Sequence, residues 1–115
     1  MGFQSLIQIT AESAAADLFV KALDPVKPQV DSGLEGVTVI TLDWCKWYPE
    51  FDEVRRVNEL VEFLDSGNYN DKEGYGYKMV ILNEDDTNEV LFNDRGLELF
   101  PDFGVQVYIS NPYLG

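Results

Sequence analysis

Histidine is absent from this chain of 115 residues, cysteine occurs once, and positive charge is scarce: 8 Lys and Arg stand against 21 Asp and Glu, a net charge of −13. Each shortage removes a class of chemistry. Without histidine there is no Ser-His-Asp or Cys-His pair, no imidazole general base and no His/Cys zinc site. The single cysteine, Cys45, cannot close an internal disulfide, which fits a reducing cytoplasm. So few cations leave little to grip a phosphate backbone or an anionic bilayer, so no direct nucleic-acid binding and no membrane binding are expected. Long apolar runs are missing too; Met79–Leu82 is too short to span a bilayer. The opening MGFQSLIQIT lacks the basic and apolar regions of a secretory signal, and Leu6 stands where N-myristoylation prefers Ser or Thr. Neither G-x-x-x-x-G-K-[ST] nor G-x-G-x-x-G occurs, so no phosphate-cradling loop is indicated.

What remains is apolar enough to fold. Hydrophobic residues make up 45% and aromatics 13% of the chain, which a disordered polymer would not carry. The length suits one domain, 1–115. Phe3–Thr10 reads as a strand, with Thr10 as N-cap of a helix whose Ala11, Ala14, Ala15, Leu18, Phe19 and Ala22 recur at helical spacing. Pro25 stops it, and Asp24–Gly36 has no period and reads as a long loop. Val37–Leu42 is β-branched and strand-like. Pro49 fits the first position of a second helix, with Phe51, Val54, Val57, Val61 and Leu64 as one apolar stripe and Ser66-Gly67 as its end. Tyr77–Asn83 and Val90–Phe92 read as strands around the turn Glu84–Glu89. Asp94–Gly104 has room for one helical turn. Val105–Ser110 alternates as a last strand, with Gln106, Tyr108 and Ser110 opposite Val105, Val107 and Ile109. The expected class is α+β: two helices packed on one face of a mixed, roughly five-stranded sheet, in the order β-α-β-α-β-β-β.

The densest chemistry lies in TLDWCKWYPEFDEVRR, Thr41–Arg56. In an extended continuation Leu42, Trp44 and Lys46 share one side, and Asp43, Cys45 and Trp47 the other. Trp47 and Tyr48, ringed by Asp43, Glu50, Asp52 and Glu53, read as an aromatic anchor in an acidic rim; the plainer reading is that both tryptophans are packing residues. Cys45 is a poor nucleophile, because nearby carboxylates raise a thiol's pKa. Along the second helix Glu59 and Glu62 extend the row of carboxylates off the apolar stripe, a solvated face in the bland reading and an array spaced like phosphates in the sharper one. SGNYNDKEGYG supplies Tyr69 and Tyr75 in a loop of adaptable residues. Glu84, Asp85 and Asp86 form an acidic hairpin turn, since NEDDTNE lacks the spacing of a calcium loop. No cofactor, no metal site and no catalytic residue are expected.

These features give a functional expectation. The chain is read as a non-catalytic, cytoplasmic acidic binding protein. It docks on a basic protein, such as a nucleic-acid-binding protein or nuclease, and inhibits it as a nucleic-acid mimic or immunity protein does. A phage or mobile-element origin would suit that role. The alternative is an assembly subunit that self-associates through the helix-free face of its sheet.

Overall fold

The computed structural model describes residues 4–32 and 36–99. Chain order runs β1 (Ser5–Glu12), α1 (Ser13–Leu23), a 3-10 turn (Asp24–Val26), β2 (Gln29–Ser32), β3 (Val37–Cys45), α2 (Asp52–Leu64), β4 (Tyr77–Asn83), β5 (Asn88–Phe92) and α3 (Asp94–Leu99). The strands form one five-stranded sheet in the order β2-β3-β1-β4-β5. The α+β class holds, with α1 and α2 over one face of that sheet. Among the described residues the sheet is not mixed: every pairing is antiparallel. The order also differs, because β2 lies inside the segment read as a loop. Val30 is the only apolar residue of QVDS, so no alternation marks it; its strand character comes from pairing with β3. Pro28 just precedes β2, where a missing N–H is tolerated at an edge. The strand expected at Val105–Ser110 lies outside the described residues.

The core sits between helices and sheet. Ile7, Ile9 and Ala11 of β1, Ile40 and Leu42 of β3, and Tyr77, Met79 and Ile81 of β4 face Phe19 and Leu23 of α1 and Val57, Val61 and Leu64 of α2. The register pairs Ile9 with Ile40 on one side and Met79 on the other, so one row of apolar side chains crosses the three central strands. Each large aliphatic buried there contributes about 1.5–3 kcal/mol.

Both helix starts shift. β1 continues to Glu12, which takes the N-cap position of α1 in place of Thr10, now buried within the strand. Pro49 does not open α2. It occupies the second position of a turn closed by the Phe51 N–H donating to the Tyr48 carbonyl (3.0 Å), where proline's fixed φ is favoured, and the helix starts at Asp52.

Two polar side chains fasten the loop 65–76 and α3 to this frame. The Glu12 carboxylate accepts from the Gly74 and Gly76 amides and from Arg95 Nε (2.8 Å) and Nη2 (3.0 Å). Buried Asn93 caps α3 by accepting from the Gly96 amide (2.8 Å), accepts from the Tyr77 amide, and donates to the Leu64 and Tyr75 carbonyls. Asn70 adds a reciprocal pair: its Oδ1 accepts from the Asp94 amide and its Nδ2 donates to the Asp94 carboxylate.

Candidate interaction surface

β3 ends in an irregularity that decides what its aromatic residues do. Ile7 pairs with Leu42, but Ser5 pairs with Cys45, so three steps on β3 answer two on β1. Such a bulge inverts the alternation beyond it. Cys45 and Trp47 therefore pack against the same core as Leu42, while Trp44 turns outward at 41% exposure. The expected sidedness, Leu42 with Trp44 against Cys45 with Trp47, is corrected by that one extra residue. Trp47 is half-buried at the rim, and Tyr48 lies tilted against Phe51 at 5.4 Å between ring centroids.

A cavity of about 320 Å³ opens beside Trp47, lined also by Asp43, Cys45, Lys46 and Glu53 and by Val26–Gln29 from the α1–β2 connection. Burial pushes the Cys45 thiol above its usual pKa, and the charges of Glu53 and Asp43 push it the same way. That environment suppresses the thiolate. Among the described residues no group of three or more His, Cys, Asp or Glu is placed to hold a metal ion. No helix there is long and apolar enough to cross a membrane.

The register gathers some carboxylates and separates others. Ser5 has Cys45 on one side and Asn83 on the other, so the β3–α2 connection and the β4–β5 turn emerge at the same end of the sheet, two strand spacings or about 10 Å apart. Asp43, Glu50, Asp52 and Glu53 thus share an end with Glu84, Asp85 and Asp86. Several already have local work: Asp52 pairs with Arg55 (2.7 Å), Glu84 accepts from the Gln4 amide, and Asp85 accepts from the Thr87 hydroxyl (2.6 Å). Asp86 adopts a left-handed φ of 70° that closes the turn. Glu59 and Glu62 lie exposed along α2, opposite the buried stripe of Val54, Val57, Val61 and Leu64, and neither has an ion pair among the described residues.

Tyr69 and Tyr75 belong to the far end. α2 is about 20 Å long and runs from the Trp47 rim to the end of the sheet where β4 starts. There Asp65 accepts from the Tyr77 hydroxyl (2.9 Å). Burial raises the Asp65 pKa, an effect the Tyr77 bond partly offsets and the Asp94 charge reinforces. Phe63 and Lys72 join Tyr69 and Tyr75 in a ring cluster. Phe63 was not among the expected contact residues; it lies off the apolar stripe at 43% exposure, which was its only signal. The candidate residues thus form no single patch. They line the exposed side of α2 and its two ends.

Comparison with protein-family models, with curated proteins and with solved structures returned no match.

Proposed function

We propose that the chain is a non-catalytic acidic protein that docks on a basic protein surface and inhibits it. The exposed side of α2 supplies charge, and the aromatic residues at its two ends act as anchors. One observation carries this reading: Glu59 and Glu62 stand exposed along α2 and, among the described residues, without ion pairs, while the bulge of β3 and the loop after α2 hold half-buried rings at either end. Unpaired carboxylates on a rigid helix present a fixed array to cations, and aromatic residues beside them provide contact area. Basic nucleic-acid-binding proteins are the class such an array would suit, because their grooves recognise charge at a repeat distance.

The test is retention of basic nucleic-acid-binding proteins from a lysate at physiological salt, with the double variant Glu59→Lys/Glu62→Lys in parallel. Retention that high salt releases and the variant loses supports the reading; no retention by the wild type defeats it. A second reading has its own observation: Val90 and Phe92 of β5, on the sheet face opposite α1 and α2, are 39% and 40% exposed. Self-association through that face would give an oligomer that salt does not dissolve, measured by light scattering on the protein alone.

A further inference from the structure

Phe63, in the last turn of α2, has its ring 4.3 Å from that of Tyr69, and Tyr69 meets Tyr75 edge-on at 5.0 Å. Successive tight turns hold the loop that presents them: Tyr69 and Asn70 donate to the Ser66 carbonyl, Lys72 to Tyr69, and Tyr75 to Lys72. Tyr75 also packs against the core. The Lys72 ammonium sits over both tyrosine rings, 5.1 Å from one centroid and 5.5 Å from the other. Both distances are within the range where a ring quadrupole attracts a cation. Asp71 and Glu73 flank Lys72 in the chain, yet Lys72 pairs with no carboxylate among the described residues. The rings hold its charge.

Resting on the docking function above, we propose that Phe63, Tyr69 and Tyr75 form a cation-binding aromatic site, filled in the free protein by Lys72 and taken over on docking by an arginine side chain of the basic partner. Lys72 is the only cation between Val57 and Tyr77, among Glu59, Glu62, Asp65, Asp71 and Glu73. Displacing it removes the repulsion nearest the rings; Arg95, the other cation beside this loop, is held by both oxygens of Glu12. A guanidinium suits the place better than an ammonium: it is planar, weakly hydrated, stacks on rings and bonds carboxylates through several N–H groups at once. The cavity beside Trp47 is less suited to a cation, because Lys27 and Lys46 line it together with Asp43 and Glu53. The space around Glu12 is lined by Arg95, which already occupies both oxygens of that carboxylate.

The experiment is fluorescence anisotropy of a labelled oligo-arginine peptide at physiological salt. It uses the wild type, Tyr69→Leu, Lys72→Ala, and Lys21→Ala as a control that removes the same charge from an exposed site on α1. Tyr69→Leu should weaken binding about 3–5-fold. Lys72→Ala should tighten it by clearly more than Lys21→Ala does, and an oligo-lysine peptide should bind less well than oligo-arginine. Ring resonances of Tyr69 and Tyr75 in the wild type should shift on titration, a readout that needs no variant to fold. If the peptide binds but Tyr69→Leu is neutral, the two lysine variants match and the rings do not shift, the aromatic site is refuted while docking stands. If the peptide does not bind the wild type at all, both fail.

Discussion

Asn93 offers the sharpest test of how this fold is held together. It is 2% exposed, and all four of its side-chain hydrogen bonds stay inside the protein. They join the end of α2, the residues leading into β4, and the start of α3. Asn93→Leu keeps the volume and removes these four bonds, stranding the buried Tyr77 and Gly96 amides, the buried Leu64 carbonyl and the part-buried Tyr75 carbonyl. A lost cap is worth about 1 kcal/mol and each stranded buried group about 1–3 kcal/mol, with partial relaxation, so the expected loss is about 3–5 kcal/mol. At a urea m-value of about 1.5 kcal/mol/M the midpoint falls by about 2–3 M. Tryptophan fluorescence reads the transition, since Trp47 packs against the core. Asn93→Asp separates donor from acceptor. It keeps the oxygen that faces the Tyr77 and Gly96 amides but turns a second oxygen toward the Leu64 and Tyr75 carbonyls. Burial and those carbonyls disfavour its charge, so its folded pKa lies above the unfolded value of about 3.9. The sign follows: the folded state binds the proton more tightly, so stability relative to wild type falls as pH rises from about 4 through that raised pKa, and returns on acidification. A loss below about 1 kcal/mol for Asn93→Leu, or an Asn93→Asp variant equal to wild type from pH 5 to 8, would refute the assignment of Asn93 as the shared clamp.

Two further substitutions probe the same corner. Burial alone would raise the Glu12 pKa, but the Arg95 bond, the Gly76 and Gly74 amides and the Arg95 charge bring it below the usual value. A lowered folded pKa gives stability that is complete above about pH 4.3 and lost as pH falls through the folded value. Glu12→Gln should cost about 1–2 kcal/mol near neutrality in urea unfolding and remove that part of the acid loss; the Asp65 contribution, of opposite sign, remains in both proteins. Gly96→Ala places a Cβ against the Tyr77 backbone, 2.6 Å from its carbonyl carbon, so α3 cannot keep its seat on β4. Its Tm should fall by about 10 °C or more, whereas Gly67→Ala, with nothing within 4 Å, should leave Tm unchanged.

Much of this fold was legible in residue spacing. The stripe Val54, Val57, Val61, Leu64 is buried as its period requires, and Tyr77–Asn83 forms the strand its composition calls for. The class, the helix-rich face and the acidic turn after Asn83 follow from such local patterns, because period and propensity act within a few residues of chain. The charge balance and the missing histidine belong to the sequence alone, as does every class of chemistry they exclude.

Other features depended on contacts between distant segments. QVDS is a strand only because β3 offers it a partner, which no property of those four residues announces. Thr10 had the chemistry of a cap, but Thr38–Ile40 and Lys78–Met79 on either side of β1 kept it in the sheet. Trp44 faces outward and Trp47 inward through one bulge, set by the pairing of β3 with β1. The two ends of α2, the shared end of the Trp47 rim and the acidic turn, and the seat of Lys72 between two tyrosines are likewise products of register and packing. Sequence fixes which charges and rings the chain carries; only the antiparallel pairing, which joins residues as far apart as Ser5 and Asn83, decides which of them meet.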